Sequence, residues 1–376
     1  MESTQHNATD EKFMRRAIEL AKKAWGDTSP NPMVGAVLVK GGKIISEGYH
    51  TRDGFPHAEI ECLRASTESP EGATLYVTLE PCSTRGRTGA CCDAIKQAKI
   101  AEVKIGTLDP NPAHAGRALP IFNDANIKYQ YGILEKECSD LNFIFNFAIT
   151  QNKPLVALKY AISADGKITE ARGKQTRITG NEAYADVMKW RRLFSAIAVG
   201  RGTLETDNPA LTSRGFKEDE FSQTRLVFDS ALNIAKNKEV KKFKIFSDKF
   251  SEKTFVVCDV NAPIENEKKL ADLGIKILRI LTPVSDNKKF WDEVKNQLHA
   301  MRINSLYIEG GAGLIKSVCD AKAVDFAFEY KAPHSLGENA LSAFENNTRP
   351  FQIQGDKIEL GKDTLTFGKV KWIQIQ

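Results

Sequence analysis

Short runs rich in Val, Ile, Leu and Phe alternate with helix-periodic segments along almost the whole chain, and this alternation constrains the fold more than any other feature. Over 10–25, apolar residues fall at Phe13, Met14, Ala17, Ile18 and Ala21, the spacing of an amphipathic helix. "VGAVLVKGGKIISEGYH" reads as a hairpin around Gly41-Gly42. A helix over 58–65, a strand over 73–79, a helix over 91–98 and the strand "EVKIGTLD" follow. A helix near 115–124, a strand near 127–133 and a helix over 138–149 complete this series. Strands interleaved with helices predict an α/β layered fold, a sheet covered by helices.

A second series opens at Pro154. "PLVALKYAIS" is almost continuously apolar, as a strand buried on both faces requires. A helix over 181–194 precedes the strands "SAIAVGRG", "TRLVFDS", "TFVVCDV" and "IKILRI", with a helix around 266–273 before the last. A helix over 287–301, the strand "SLYIEGG", a helix over 312–321 and the strand "VDFAFEY" come next, and 351–376 reads as short β segments. At 376 residues the chain suits two domains, with the boundary at 150–153: domain one over 1–151 and domain two over 152–376.

Charge sets few limits. There are 53 Lys and Arg against 48 Asp and Glu, with no long basic run, so nucleic acid is not an expected partner. No apolar stretch approaches the roughly 20 residues of a membrane span, and "MESTQHNATDEKFMRRAIEL" carries no apolar core of a secretion signal. A cytoplasmic location is expected, where clustered cysteines serve metal binding or catalysis more often than disulfides.

One region gathers such residues: "PHAEIECL" at 56–63 and "EPCSTRGRTGACCDAI" at 80–95. His57-Ala58-Glu59 stands where a turn enters a helix, Cys82 follows a strand, and Cys91 starts the next helix. Imidazole and thiolate are zinc ligands, and a catalytic zinc keeps three of them with a fourth position for water. Bound zinc lowers that water's pKa towards about 7. H-x-E followed by P-C…C is the signature of zinc-dependent nucleobase deaminases, in which the glutamate moves protons and is not a ligand. The usual spacing is P-C-x-x-C, but eight residues separate Cys82 from Cys91 here. A closed structural zinc, with Cys92 as fourth ligand, and buried free thiols are the alternatives. Asn31, His50, Asp109 and Asn111 lie at turns beside strand ends, where α/β sheets place ligands, and Asn-Pro and Asp-Pro also simply form turns.

Domain two has no G-x-G-x-x-G, so a Rossmann fold is not supported. Gly310 and Gly311 follow Glu309 at a strand end and lead into a helix, where backbone amides can receive a phosphate. Lys159 interrupts an apolar strand, a costly place for an unpaired charge. Arg191 and Arg214 are a candidate pair for gripping phosphate; surface ion pairing is the plainer reading.

Taken together, "SPNPMVGAV", "GYHTRDGFPHAE", "TLEPCS…GRT…C" and "DPNP" resemble the deaminase domain of the bifunctional riboflavin-biosynthesis deaminase/reductase family. "LKYAISADGKI", "ITG", "AVGRGT…TDNPALTSR", "LVFDS" and "IEGG" resemble, in order, its reductase domain. The resemblance spans roughly residues 10–335. It implies a cytidine-deaminase-like α/β/α zinc domain followed by a dihydrofolate-reductase-like α/β domain. It also implies zinc on His57, Cys82 and Cys91, with Glu59 as proton shuttle. Asn31, His50, Asp109 and Asn111 fall where the family contacts its deaminase substrate. Lys159 is implied as catalytic in reduction, and Thr179, Arg191, Asp207, Arg214 and Glu309 as lining the ribose-phosphate site. Thr203, Gly310 and Gly311 would face NADPH.

The implied reactions are deamination of 2,5-diamino-6-ribosylamino-4(3H)-pyrimidinone 5′-phosphate and reduction of the resulting ribosyl group by NADPH, in a homo-oligomer that needs no membrane. The sequence departs from the family at Thr84, Gly89-Ala90, Arg177, Ser195 and Phe326. Rival readings are a deaminase whose second half has lost reduction, a nucleoside or RNA deaminase with a binding module, and a zinc-stapled scaffold.

Overall fold

A five-stranded mixed sheet organises the first of two units, Met1–Asn152 and Lys153–Gln376. The structure is a computed structural model and describes residues 7–84 and 89–373. The first unit runs α1 (Ala8–Lys22), β1 (Gly35–Lys40), β2 (Lys43–Tyr49), α2 (Ala58–Arg64), β3 (Thr74–Leu79) and α3 (Cys91–Gln97). It continues with β4 (Glu102–Thr107), α4 (Ala118–Asp124), β5 (Lys128–Tyr131), α5 (Glu135–Leu141) and α6 (Phe143–Gln151).

The strand order is β2-β1-β3-β4-β5, with β1 antiparallel to both neighbours and β3, β4 and β5 parallel. The carboxyl ends of β2, β3 and β4 therefore meet along one edge. Successive side chains of β1 point to opposite faces. Ala36 and Leu38 join Ala58, Cys62, Ile95 and Phe122 in one cluster, while Val37 and Val39 join Phe13, Met14, Ala17 and Cys138 in another. Helices α2, α3 and α4 thus cover one face and α1 and α5 the other.

The helix expected over 138–149 is two helices. Asn142 leaves helical geometry (φ −115°, ψ 28°) and uses its buried amide on Met33, accepting from the Met33 N–H and donating to its carbonyl, both at 2.8 Å. That clamp ties the break to the turn carrying Asn31 and Pro32.

The second unit begins with β6 (Leu155–Ile162), β7 (Lys167–Thr169), α7 (Asn181–Leu193), β8 (Ala196–Gly200), α8 (Arg201–Asp207) and β9 (Thr224–Phe228). Next come α9 (Lys244–Ser247), β10 (Thr254–Cys258), α10 (Ile264–Asp272), β11 (Lys276–Arg279), α11 (Asn287–Ala300) and β12 (Ser305–Ile308). It ends with α12 (Ala312–Asp320), β13 (Phe326–Lys331), β14 (Leu341–Ser342), β15 (Phe351–Leu360) and β16 (Asp363–Trp372). The nine-stranded sheet has the order β11-β10-β9-β8-β12-β6-β13-β16-β15, parallel as far as β13 and antiparallel through the last two strands. The small α8 was not foreseen: it starts directly after β8 with Gly202 in its first turn, so the stretch reads as the end of a strand.

The tail is not a set of short segments but a hairpin of two ten-residue strands. Most of β15 is exposed at the sheet edge, so it carries little of the apolar alternation by which strands are read. Phe367 of β16 stacks on Phe328 at 6.0 Å and lies 5.6 Å from Trp190 of α7. The departure at Phe326 belongs to this cluster, 5.1 Å from Phe328. Ser195, another departure, bonds Asn304 at 2.8 Å and Ser305, tying the entry of β8 to that of β12.

Candidate functional site

Gly48 explains how α2 comes to its place. A side chain there would meet Cys62 N at 2.3 Å and Ala58 O at 2.6 Å, so only glycine lets β2 and α2 approach this closely. The helix then begins beside the shared strand edge, with His57 as its extended cap residue and Glu59 in its first turn. Cys82 follows β3, and Cys91 is the first residue of α3, which is tied back by a Cys92 N–H bond to the Cys82 carbonyl at 3.2 Å.

His57, Cys82 and Cys91 converge. Their ligand atoms all lie within 4.8 Å of one another. His57 Nδ1 is 3.3 Å from Cys91 Sγ and 3.5 Å from Cys82 Sγ. Zinc at about 2.3 Å from sulfur and about 2.0 Å from nitrogen sets tetrahedral ligand atoms about 3.5–3.8 Å apart, so the donor set fits this ion. Cys92 does not supply a fourth ligand: its buried sulfur turns to the Pro81 carbonyl at 3.6 Å. Among the described residues, the three ligands form the sole such group in the molecule.

Electrostatics favour the same use. Cys82 is pulled down towards thiolate by the Cys91 thiol, against the cost of burial, with help from His57 and the Cys91 N–H at 3.3 Å. Hydrogen bonding to Cys82 raises His57. Glu59 is 3% exposed, and burial pushes its carboxyl up to about 7. A carboxyl poised there can both take and give a proton at neutral pH.

His50 lies beside the centre, its ring 5.6 Å from that of His57. Burial lowers its pKa and keeps it neutral. In the tautomer that satisfies both contacts, Nδ1–H donates to the Pro56 carbonyl (3.0 Å) and Nε2 accepts from the Asn31 amide (3.3 Å). Asn31 also donates to Asp53 at 3.1 Å. Asp109, raised by burial, accepts from the Asn111 N–H at 2.8 Å. A cavity of about 190 Å³ opens at Cys82 and is lined also by Glu80, Pro81, Ser83, Thr84, Asp109 and His114. The "GRT" stretch of the motif, residues 86–88, lies outside the described residues.

Sequence reasoning missed Glu80. This buried carboxylate accepts from three backbone N–H groups, those of Asp109 (3.0 Å), Gly116 (2.9 Å) and Ala118 (2.9 Å), and so holds the loop that bears Asp109 and Asn111. The available signal was a carboxylate between an apolar strand and Pro81-Cys82.

In the second unit, β8, β12 and β6 are neighbours, which brings Arg191, Glu309 and Lys159 together. Arg191 donates to Glu309 through Nε (2.6 Å) and Nη2 (2.8 Å), and to the Thr212 carbonyl through Nη1 (3.0 Å). Burial opposes the Glu309 charge, but Arg191 and Lys159 outweigh it and hold its pKa below the usual value. Burial lowers Lys159, whose ammonium lies 5.5 Å from the Tyr330 ring. Arg214 is exposed and donates to Tyr184 at 3.2 Å. Asp207 ends α8 and is raised by burial. Thr203 Oγ1 accepts from the Gly311 N–H at 3.1 Å, joining α8 to the Gly310-Gly311 turn ahead of α12. Thr179 precedes α7, and Arg177 folds onto its carbonyl at 3.1 Å.

Comparison with known proteins covers both units. Residues 7–107 match the family described as the cytidine and deoxycytidylate deaminase zinc-binding region, and 154–363 match the RibD C-terminal domain. The chain is 37% identical over 329 residues to riboflavin biosynthesis protein RibD of Actinobacillus pleuropneumoniae, covering 88% of this chain and 85% of that protein. It is 35% identical to the RibD of Aquifex aeolicus, covering 96% and 98%. Among solved structures, a diaminohydroxyphosphoribosylaminopyrimidine deaminase/5-amino-6-(5-phosphoribosylamino)uracil reductase from Thermotoga maritima superposes with a TM-score of 0.80 at 31% identity, covering 96% of this chain and 99% of that one.

Proposed function

This chain belongs to the riboflavin biosynthesis protein RibD family, bifunctional deaminases and reductases, and from that premise we propose how its residues divide the two reactions. The first unit hydrolyses the 2-amino group of 2,5-diamino-6-ribosylamino-4(3H)-pyrimidinone 5′-phosphate, releasing ammonia. The second reduces the ribosyl group of 5-amino-6-(5-phosphoribosylamino)uracil to ribityl with NADPH. The observation that carries the reading is the convergence of His57, Cys82 and Cys91 within 4.8 Å beside the buried Glu59.

Those three residues would hold zinc, which supplies a Lewis acid that makes water acidic at neutral pH. Glu59 takes a proton from the attacking water and passes one to the leaving amine, the two uses of a carboxyl with pKa near 7. His50 and Asn31, locked to each other, and Asp109 and Asn111, held by Glu80, grip the pyrimidine from two sides.

In the second unit Lys159 works at the reacting end of the substrate. Arg191 fixes Glu309 with two of its N–H groups and joins Thr179, Asp207 and the exposed Arg214 in binding the ribosyl phosphate. NADPH phosphate meets the Gly310-Gly311 turn, where a side chain on Gly311 would come within 3.0 Å of Thr203 Oγ1. The seven cysteines are unpaired, which supports a reducing cytoplasm, and the enzyme acts as a homo-oligomer on small phosphorylated pyrimidines.

The test follows NADPH oxidation by zinc-loaded protein given the diaminopyrimidinone ribosyl phosphate, beside Glu59→Ala. Oxidation in the wild type and none in the variant, with zinc still bound, is expected. Loss of zinc from the variant would make Glu59 a ligand. Ammonia without NADPH oxidation would leave deamination standing and remove reduction, and neither product would overturn the reading.

A further inference from the structure

The C-terminal hairpin reaches the reductase site through one carboxylate. Asp363, the first residue of β16, is 4% exposed and accepts the Gly180 N–H at 2.6 Å. Among the described residues it has no cationic partner. A buried carboxylate without a compensating bond is costly, so this contact favours holding the hairpin turn against the start of α7. Gly180 caps the 13-residue α7 but has no side chain to offer it, and Asp363 brings negative charge to that positive helix end. The turn itself is shaped for the approach: Gly361 has φ +66°, and a side chain there would meet the Glu182 carboxyl group at 2.9 Å.

Gly180 N and Thr179 O belong to a single peptide plane. Arg177 donates to its oxygen at 3.1 Å and Asp363 accepts from its nitrogen at 2.6 Å, so the plane is gripped at both ends. Rotation of that plane would swing Thr179, the residue assigned above to the ribosyl phosphate. Phe367, farther along β16, packs on Trp190 of the same helix. The hairpin therefore holds α7 both at its start and near its end.

We propose that Asp363 is a positioning residue for reduction: it fixes the Thr179–Gly180 peptide plane and through it the grip on the ribosyl phosphate. The proposal rests on the assignment of Thr179 made above. It gives the tail, which lies beyond the residues that carry the family resemblance, a task at the second site.

The test uses the full-length protein and compares wild type, Asp363→Ala and Asp363→Asn. KM is measured separately for the phosphorylated aminouracil and for NADPH, with deamination by the same preparation as an internal control. Asp363→Ala is expected to raise the aminouracil KM about tenfold, with NADPH KM and deamination unchanged. Asp363→Asn keeps an acceptor oxygen but loses the charge, so a rise of about threefold is expected. An unchanged aminouracil KM, or a parallel rise in both KM values, would overturn the proposal. If Asp363→Ala does not fold, Asp363→Asn decides by the same criterion. If the wild type oxidises no NADPH, the assignment of reduction has failed; calorimetric binding of the aminouracil to wild type and Asp363→Asn then decides the positioning role, weaker binding upholding it and equal binding ending it.

Discussion

Lys159, proposed above to act in reduction, stands where burial makes its charge costly to stability. Burial holds its ammonium below the ordinary value of 10.5, with Glu309 only partly compensating. Between its folded pKa and 10.5 the unfolded chain binds more protons, so stability rises with pH across that window. Below the window the full cost of the buried charge is present. Lys159→Met is therefore expected to abolish reduction while raising the unfolding free energy of the second unit at pH 7, with the gain shrinking as pH approaches 10. Glu309 stays paired, because Arg191 holds both its oxygens. Denaturant unfolding at the two pH values checks this, and a variant less stable than wild type at pH 7 would contradict it. Lys159 was visible in the sequence as a charge in an apolar run, but only the family resemblance, and no local pattern, grouped it with Arg191 and Glu309, which are 118 residues apart.

Among the elements, the loop after β4 depends on Glu80 more than on its own turn chemistry. Asp-Pro and Asn-Pro predict a turn, and local bonds form within it, such as Asn111 N–H to Asp109. Its placement at the cavity it shares with Cys82 comes from three backbone bonds to one carboxylate just past β3. Glu80→Ala leaves those donors without their acceptor, at a cost of about 1–3 kcal/mol for each one that stays buried. The expected result is a raised KM for deamination with zinc content unchanged and reduction of the deaminated substrate intact. A normal KM would mean that the loop holds itself. The α5–α6 break has a similar cause: the apolar period runs on through 138–149, but Asn142 is spent on Met33.

At the scale of the whole molecule, the two units carry separate chemistries and should fail separately. A three-ligand zinc with its fourth position open serves reactivity, whereas a closed site contributes folding free energy directly. The first unit also has cores on both faces of its sheet, formed without any ligand of the centre. Chelation is expected to stop ammonia release while leaving the first unit's circular dichroism largely native and leaving reduction of supplied aminouracil at its full rate. Unfolding of the first unit on chelation would make the zinc structural.

The sequence alone determined the alternation of strands and helices, the two series, and the His57, Glu59, Cys82, Cys91 set, because periodicity and short motifs are local in the chain. Its family resemblance also named the residues of the second site. Tertiary structure decided what no local pattern encodes. It turned Cys92 away from the centre onto Pro81, bound Arg191 to Glu309, and set Glu80 under the Asp109 loop. It also made the tail an edge hairpin that reaches Gly180 from 183 residues away. Edge strands bury too little to show an alternating pattern, and a buried carboxylate takes whichever donors the fold brings to it.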